Sequence, residues 1–227
     1  MLKKLVVFFV KNLFVKSLPS KISVFSILSL FLISSANADT AVTTNKTVKL
    51  LVWGDSLSAA YGIPVEKGWV NLLRNKLGKQ VEITNASISG ETTQGGLTRL
   101  PDALDKHTPD IMLLELGGND GLRGIRSEVM HNNLNEMITL AHNKDITVIL
   151  LGIKIPPNYG LTYTEKFEKV FSDLAEQYKL SFVPFILKDI ALDYDLMQAD
   201  GIHPNIKAQP ILLNNIFPVL EDKLPKV

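Results

Sequence analysis

The sequence predicts an α/β domain: a three-layer, doubly wound and mostly parallel sheet of five strands. Three observations predict it. Five short apolar runs alternate along the chain with segments whose apolar residues recur at helical spacing, the pattern of repeated β-α units. The runs are almost continuously apolar, as strands are when helices cover both faces of a sheet. Polar, glycine-bearing clusters follow the ends of successive runs, where open α/β sheets bind their ligands.

Residues 1–38 stand outside this pattern. They carry five lysines (Lys3, Lys4, Lys11, Lys16, Lys21) and no acidic residue, then an apolar run from Ile22 to Ile33 and the small-x-small sequence Ala36-Asn37-Ala38. A run of this length falls short of the roughly 20 residues of a membrane-spanning helix, so the segment reads as an export signal cleaved after Ala38. Residues 39–47 are polar and threonine-rich and read as a flexible lead-in. Residues 48–227 read as a single domain, without internal repeat, low-complexity tract or linker.

Within that domain the elements follow in order. Val48 to Trp53 is a partly β-branched apolar run that stops at Gly54, a buried strand ending in a tight turn. Trp69, Leu72, Leu73 and Leu77 share a helix face, and Gly78 is a natural C-terminal cap. The alternation continues with Val81 to Asn85 as strand, Thr93 to Asp105 as helix, Ile111 to Leu116 as strand, Ser127 to Asn143 as helix and Ile146 to Leu151 as strand. A helix from about Glu165 to Tyr178, a short strand from Phe182 to Phe185 and a closing helix from Ala208 to Leu220 complete the pattern.

Composition narrows the function. Removing 38 of the 227 residues leaves 189, enough for one domain with a substantial core, and takes the formal charge from +1 to −4 because five lysines go. Mild acidity without a basic run gives no support for a nucleic-acid partner. The chain has no cysteine, which excludes disulfides, thiolate-ligated metals and a thiol nucleophile.

Three polar clusters fall after the first three strands: Gly54-Asp55-Ser56, Ser87-Ile88-Ser89-Gly90 and Gly117-Gly118-Asn119-Asp120. Ser56 sits where a hydroxyl could be presented as a nucleophile, although a serine there is equally a helix cap or a turn residue. It lacks the glycine two residues on that a G-x-S-x-G elbow requires, since Ser58 stands there. A serine nucleophile needs a base. His107, in a polar stretch before a strand, and His131 and His142, on a helix, have ordinary surface readings. His203 lies in Asp200-Gly201-Ile202-His203-Pro204-Asn205, a loop bracketed by Gly and Pro, with Asp200 near enough to orient the ring. Gly90 and Asn119 are suited to donate to a developing oxyanion, or are turn residues of their own loops.

Taken together, four blocks carry a resemblance. Gly54 to Gly62 (GDSLSAAYG), Asn85 to Thr93 (NASISGETT), Glu115 to Gly124 (ELGGNDGLRG) and Asp200 to Asn205 (DGIHPN) resemble the SGNH, or GDSL, hydrolase superfamily. Within it they are similar to the bacterial periplasmic thioesterase, lysophospholipase and arylesterase subgroup, from about Leu50 to the C-terminus. The resemblance implies a flavodoxin-like SGNH fold, Ser56 as nucleophile, and Asp200 with His203 completing a triad. It implies the Ser56 and Gly90 backbone N–H groups and the Asn119 side chain as oxyanion donors, with Asp120 steadying the Asn119 loop. It also implies a mobile loop over Gly121 to Arg126 and an acyl groove lined by Leu122, Ile155 and Pro156. Leu161 to Thr164 is more apolar than in such relatives.

The expectation is a serine hydrolase of carboxylic esters and thioesters that needs no metal or organic cofactor and acts on a small acyl substrate. It is expected to be a monomer, periplasmic or secreted, with no stable membrane span after cleavage. A carbohydrate O-deacetylase is the rival within enzymes, and the apolar Leu122, Ile155 and Pro156 favour longer acyl chains over it. A secreted binding module on the same fold is the rival outside them, and the presence of Ser56, Asn119 and His203 weighs against it.

Overall fold

The computed structural model describes residues 47–225, so the export signal, its cleavage point after Ala38 and the lead-in up to residue 46 lie outside the described residues. Five parallel strands form the sheet: β1 (Val48–Gly54), β2 (Val81–Asn85), β3 (Ile111–Glu115), β4 (Thr147–Leu151) and β5 (Ser181–Val183). Their order across the sheet is β2-β1-β3-β4-β5, and every neighbouring pair is parallel. The strand order therefore reverses at β1, and the crevice between the ends of β1 and β3 is the switch point where such sheets hold ligands.

The helices are α1 (Trp69–Leu77), α2 (Thr93–His107), α3 (Gly118–Leu122), α4 (Ser127–His142), α5 (Leu161–Tyr178) and α6 (Gln209–Glu221). α1 packs with α6, while α4 packs with α2 and α5. Between these layers Leu51, Val52, Leu113, Leu114, Ile149 and Leu150 are fully buried, joined by Trp53, Trp69, Phe167 and Phe171. Complete burial of side chains of this size contributes about 1.5–3 kcal/mol each, which is why β1, β3 and β4 read as almost continuously apolar runs. Among the described residues, no helix is long and apolar enough to cross a membrane.

Helix α1 and strand β2 have the bounds their sequence predicts, and several other ends differ for local reasons. Thr108, in a left-handed conformation (φ 43°), donates its N–H to the Leu104 carbonyl, so α2 runs on to His107. The polar stretch at His107 is thus a helix end, where the basic Lys106 suits the dipole. α5 starts at Leu161, earlier than the sequence suggests, because the Tyr163 hydroxyl donates to the Ile125 carbonyl at 2.7 Å and tertiary contact outweighs weak propensity. β5 stops at Val183 since Pro184 has no N–H to continue the ladder. The expected loop over Gly121 to Arg126 begins inside a short helix, α3.

Candidate active site

Ser56 occupies the turn directly after β1. The turn is closed by Ala59 N–H donating to the Asp55 carbonyl at 3.0 Å and Tyr61 N–H to the Ser56 carbonyl at 3.2 Å. Gly54 and Glu115 are register partners on β1 and β3. A Cβ at Gly54 would lie 2.6 Å from Glu115 Oε2 and 3.0 Å from Ser58 Oγ. This glycine is required by the close approach of a carboxyl, beyond the turn that the sequence suggests.

His203 arrives from the loop before α6. That loop is pinned by an antiparallel bridge between Met197 and Pro204, by Gln198 N–H donating to the His203 carbonyl at 2.7 Å, and by Asn205 N–H donating to the Leu196 carbonyl at 2.8 Å. The imidazole is thereby set with Nε2 2.9 Å from Ser56 Oγ and Nδ1 2.7 Å from Asp200 Oδ2. Asp200 Oδ1 accepts the Ile202 and His203 backbone N–H groups at 2.9 and 3.0 Å. Partial burial raises the Asp200 pKa, but the His203 backbone N–H, the imidazole and the Ile202 N–H outweigh it and hold the carboxyl at about 2. An ionised Asp200 accepts only, so Nδ1 carries the ring proton and Nε2 is left to accept from the Ser56 hydroxyl. The Tyr61 ring lies over the imidazole, with centroids 4.5 Å apart.

Asn119 stands in the first turn of α3, beyond β3, and one amide hydrogen of its Nδ2 is donated to Asp55 Oδ2 at 3.0 Å. The second hydrogen of the same amide has no acceptor among the described residues. α3 is anchored from below: Asp120 accepts the Thr93 N–H at 2.8 Å and the Thr93 hydroxyl at 2.5 Å, and Asn133 donates to that hydroxyl at 3.0 Å. Gly90 adopts φ +79°, a left-handed conformation that favours glycine. Ile88 N–H donates to the Gly54 carbonyl at 3.0 Å, and Arg123 donates to the Gly90 carbonyl at 3.0 Å, so Gly90 sits between the Ser56 turn and α3.

The structure thus gathers Ser56, His203, Asp200, Asn119 and Gly90 at the switch point. The three expected groove residues are placed differently from one another. Leu122 is half-buried at the end of α3, Pro156 is exposed, and Ile155 is buried beneath α3, where its Cγ2 would lie 2.6 Å from a Cβ at Gly121. Tyr159 donates its hydroxyl to the Leu122 carbonyl at 3.0 Å and ties the two segments together.

Sequence reasoning passed over Asp55 and Glu115, which are 2 % and 0 % exposed. Burial first, against hydrogen bonds from Leu57 N–H and Asn119, raises the Asp55 carboxyl to about 6. Burial first, and then the charge of Asp55, raises Glu115 well above the ordinary carboxyl range. One signal was available: Glu115 is the single acid in the apolar run Ile111 to Leu116.

Fold and site define the class, a hydrolytic enzyme built on a doubly wound parallel α/β sheet. The family model described as the GDSL-like lipase/acylhydrolase family matches residues 52–209. Esterase TesA of Pseudomonas aeruginosa is 47 % identical over 178 residues, covering 77 % of this chain and 89 % of the relative. Arylesterase of Vibrio mimicus is 47 % identical over 165 residues (71 % and 82 % covered), and thioesterase 1/protease 1/lysophospholipase L1 of Escherichia coli K12 is 40 % identical over 163 residues (72 % and 78 % covered). The crystal structure of esterase EstA from a Pseudoalteromonas species superposes with a TM-score of 0.74 at 40 % identity, covering 78 % of this chain and 98 % of that one. The chain belongs to the GDSL-like lipase/acylhydrolase family and is a carboxylic ester hydrolase.

Proposed function

We propose that the chain hydrolyses carboxylic esters and thioesters through an acyl-enzyme on Ser56. The observation that carries this reading is the continuous hydrogen-bonded chain from Ser56 Oγ through His203 to Asp200, at 2.9 and 2.7 Å. His203 Nε2 takes the hydroxyl proton as Ser56 Oγ bonds to the substrate carbonyl carbon. The resulting oxyanion is held by the Ser56 and Gly90 N–H groups and by the free amide hydrogen of Asn119. Collapse of the tetrahedral intermediate breaks the bond to the alcohol or thiol, which leaves with the proton held on Nε2. Water, deprotonated by His203 in its turn, attacks the acyl-Ser56 carbonyl, releases the acid and restores the hydroxyl. Asp200 holds the imidazole in the productive tautomer and stabilises its charged form.

Arylesters, acyl thioesters and lysophospholipids are the substrate classes suggested by the names of the relatives, and the solvent-accessible apolar side chains of Leu122 and Pro156 suit an acyl chain. The lysine-rich, acid-free segment followed by an apolar run supports export to the periplasm or beyond. Turnover of p-nitrophenyl esters by Ser56→Ala tests the mechanism. The variant is expected to keep the far-ultraviolet circular dichroism of the parent, to lose hydrolysis, and to escape labelling by a fluorophosphonate. Hydrolysis at the parental rate would sink the assignment.

A further inference from the structure

The carboxyl of Glu115 is fully buried and takes no part in the proposed acyl transfer, yet it lies directly behind the turn that carries Ser56. Its hydrogen bonds account for one oxygen only. Oε2 accepts the Asp55 backbone N–H at 3.2 Å and the Ser58 hydroxyl at 2.7 Å. Oε1 is buried with no donor aimed at it among the described residues. A carboxylate oxygen left bare in such a place is costly, whereas the same oxygen as a carboxylic acid O–H can donate. The acidic group beside it is Asp55, whose backbone N–H already reaches Oε2 and whose charge acts on the Glu115 carboxyl. Asp55 is committed as an acceptor elsewhere: Oδ1 receives the Leu57 N–H at 3.0 Å and Oδ2 the Asn119 amide at 3.0 Å.

We infer that Glu115 is a positioning residue: as a neutral carboxylic acid it donates a hydrogen bond from Oε1 to the Asp55 carboxylate, and through Asp55 it aims the Asn119 amide at the oxyanion. The chain Glu115–Asp55–Asn119 then mirrors, on the donor side of the site, what Asp200 does for His203 on the base side. Two carboxylates in contact cannot both ionise in a dry site, so the pair keeps one proton. Burial and then the charge of Asp55 keep that proton on Glu115. Asp55, whose raised value is about 6, is the one to ionise. The charged group facing Glu115 is Asp55, from the turn after β1; His203, from the loop ahead of α6, faces Asp55 in turn; Ser58 contacts Glu115 and does not titrate. The inference rests on Asn119 acting as an oxyanion donor.

Glu115→Gln and Glu115→Leu separate this role from simple packing. Gln retains an acceptor for Asp55 N–H and Ser58 and a donor for Asp55, so kcat is expected within tenfold of the parent. Leu fills similar space without a donor, so kcat is expected to fall by about 100-fold with KM little changed, as when an oxyanion donor is lost. Leu at parental kcat, or Gln falling as far as Leu, overturns the inference. A second readout does not involve turnover. The proton is bound above pH 4.5 in the folded chain and released in the unfolded one, so the contribution of Glu115 to parental stability falls as pH rises, a loss that Glu115→Gln does not share. The difference in Tm in favour of Glu115→Gln is therefore expected to grow from about pH 4 to about pH 8. A difference independent of pH overturns the neutral acid, and this measurement decides the matter if Glu115→Leu fails to fold. Ser56→Ala serves as the control: activity in that variant defeats the proposed function itself, while an inactive Ser56→Ala with a fully active Glu115→Leu defeats only the inference.

Discussion

Asn119 has two amide hydrogens and divides them between structure and chemistry. One is fixed on Asp55 at 3.0 Å, which sets the plane of the amide, and in the proposed mechanism the other is left for an oxygen whose charge grows in the transition state. Asn119→Ala is therefore expected to lower kcat by about 100- to 1,000-fold while KM changes little, measured on a p-nitrophenyl ester. A rise in KM at constant kcat would mean that Asn119 binds the ground state. Ser56, His203 and Asp200 were legible as residues because short blocks carry them, with Asp200 only three positions from His203. Asp55 and Glu115 were not legible in the same way. Each looks like an ordinary polar residue at a strand end until the β1–β3 register sets Gly54 beside Glu115 and brings 60 residues of sequence separation to one hydrogen bond.

Helix α3 shows the same limit among the elements. Two of its five residues, Gly118 and Gly121, are glycines, and propensity argues against a helix there. Packing decides otherwise, since α3 lies so close to Ile155 and Phe167 that a Cβ at Gly121 would meet them at 2.6 and 2.7 Å. Gly121→Ala, which raises helix propensity, is thus expected to destabilise the fold by about 1–3 kcal/mol through overpacking. Urea melts would measure it, and an unchanged or increased stability would refute the tight seat of α3. Where packing and local preference agree, as in α1 with its apolar positions at helical spacing and its Gly78 cap, the sequence alone delimits the helix. Where a distant partner intervenes, as the Ile125 carbonyl does for Tyr163 at the start of α5, it does not.

Across the whole molecule, the carboxyls of the site pull stability in opposite directions with pH. Asp200 is held at about 2, below its ordinary 3.8, so its contribution is present above pH 3.8 and is lost as pH falls towards 2. Asp55 and Glu115 are raised, so the stability they provide as neutral acids is full at low pH and declines as pH rises, for Asp55 between 3.8 and about 6. Asp200→Asn is accordingly expected to lose less stability than the parent between about pH 4 and about pH 2 in denaturant melts. An equal loss in both chains would show that the loop before α6 does not stabilise the ionised Asp200. By itself the sequence determined the doubly wound class, the number of strands and the blocks bearing Ser56, Gly90, Asn119 and His203, because apolar periodicity and turn chemistry are local properties of the chain. Only the tertiary structure decided that Ile155 lies beneath α3, that α3 is a helix, and that two buried carboxyls stand behind Ser56. Those features depend on strand register and on what lies across the sheet, and both arise only when residues far apart in the chain meet.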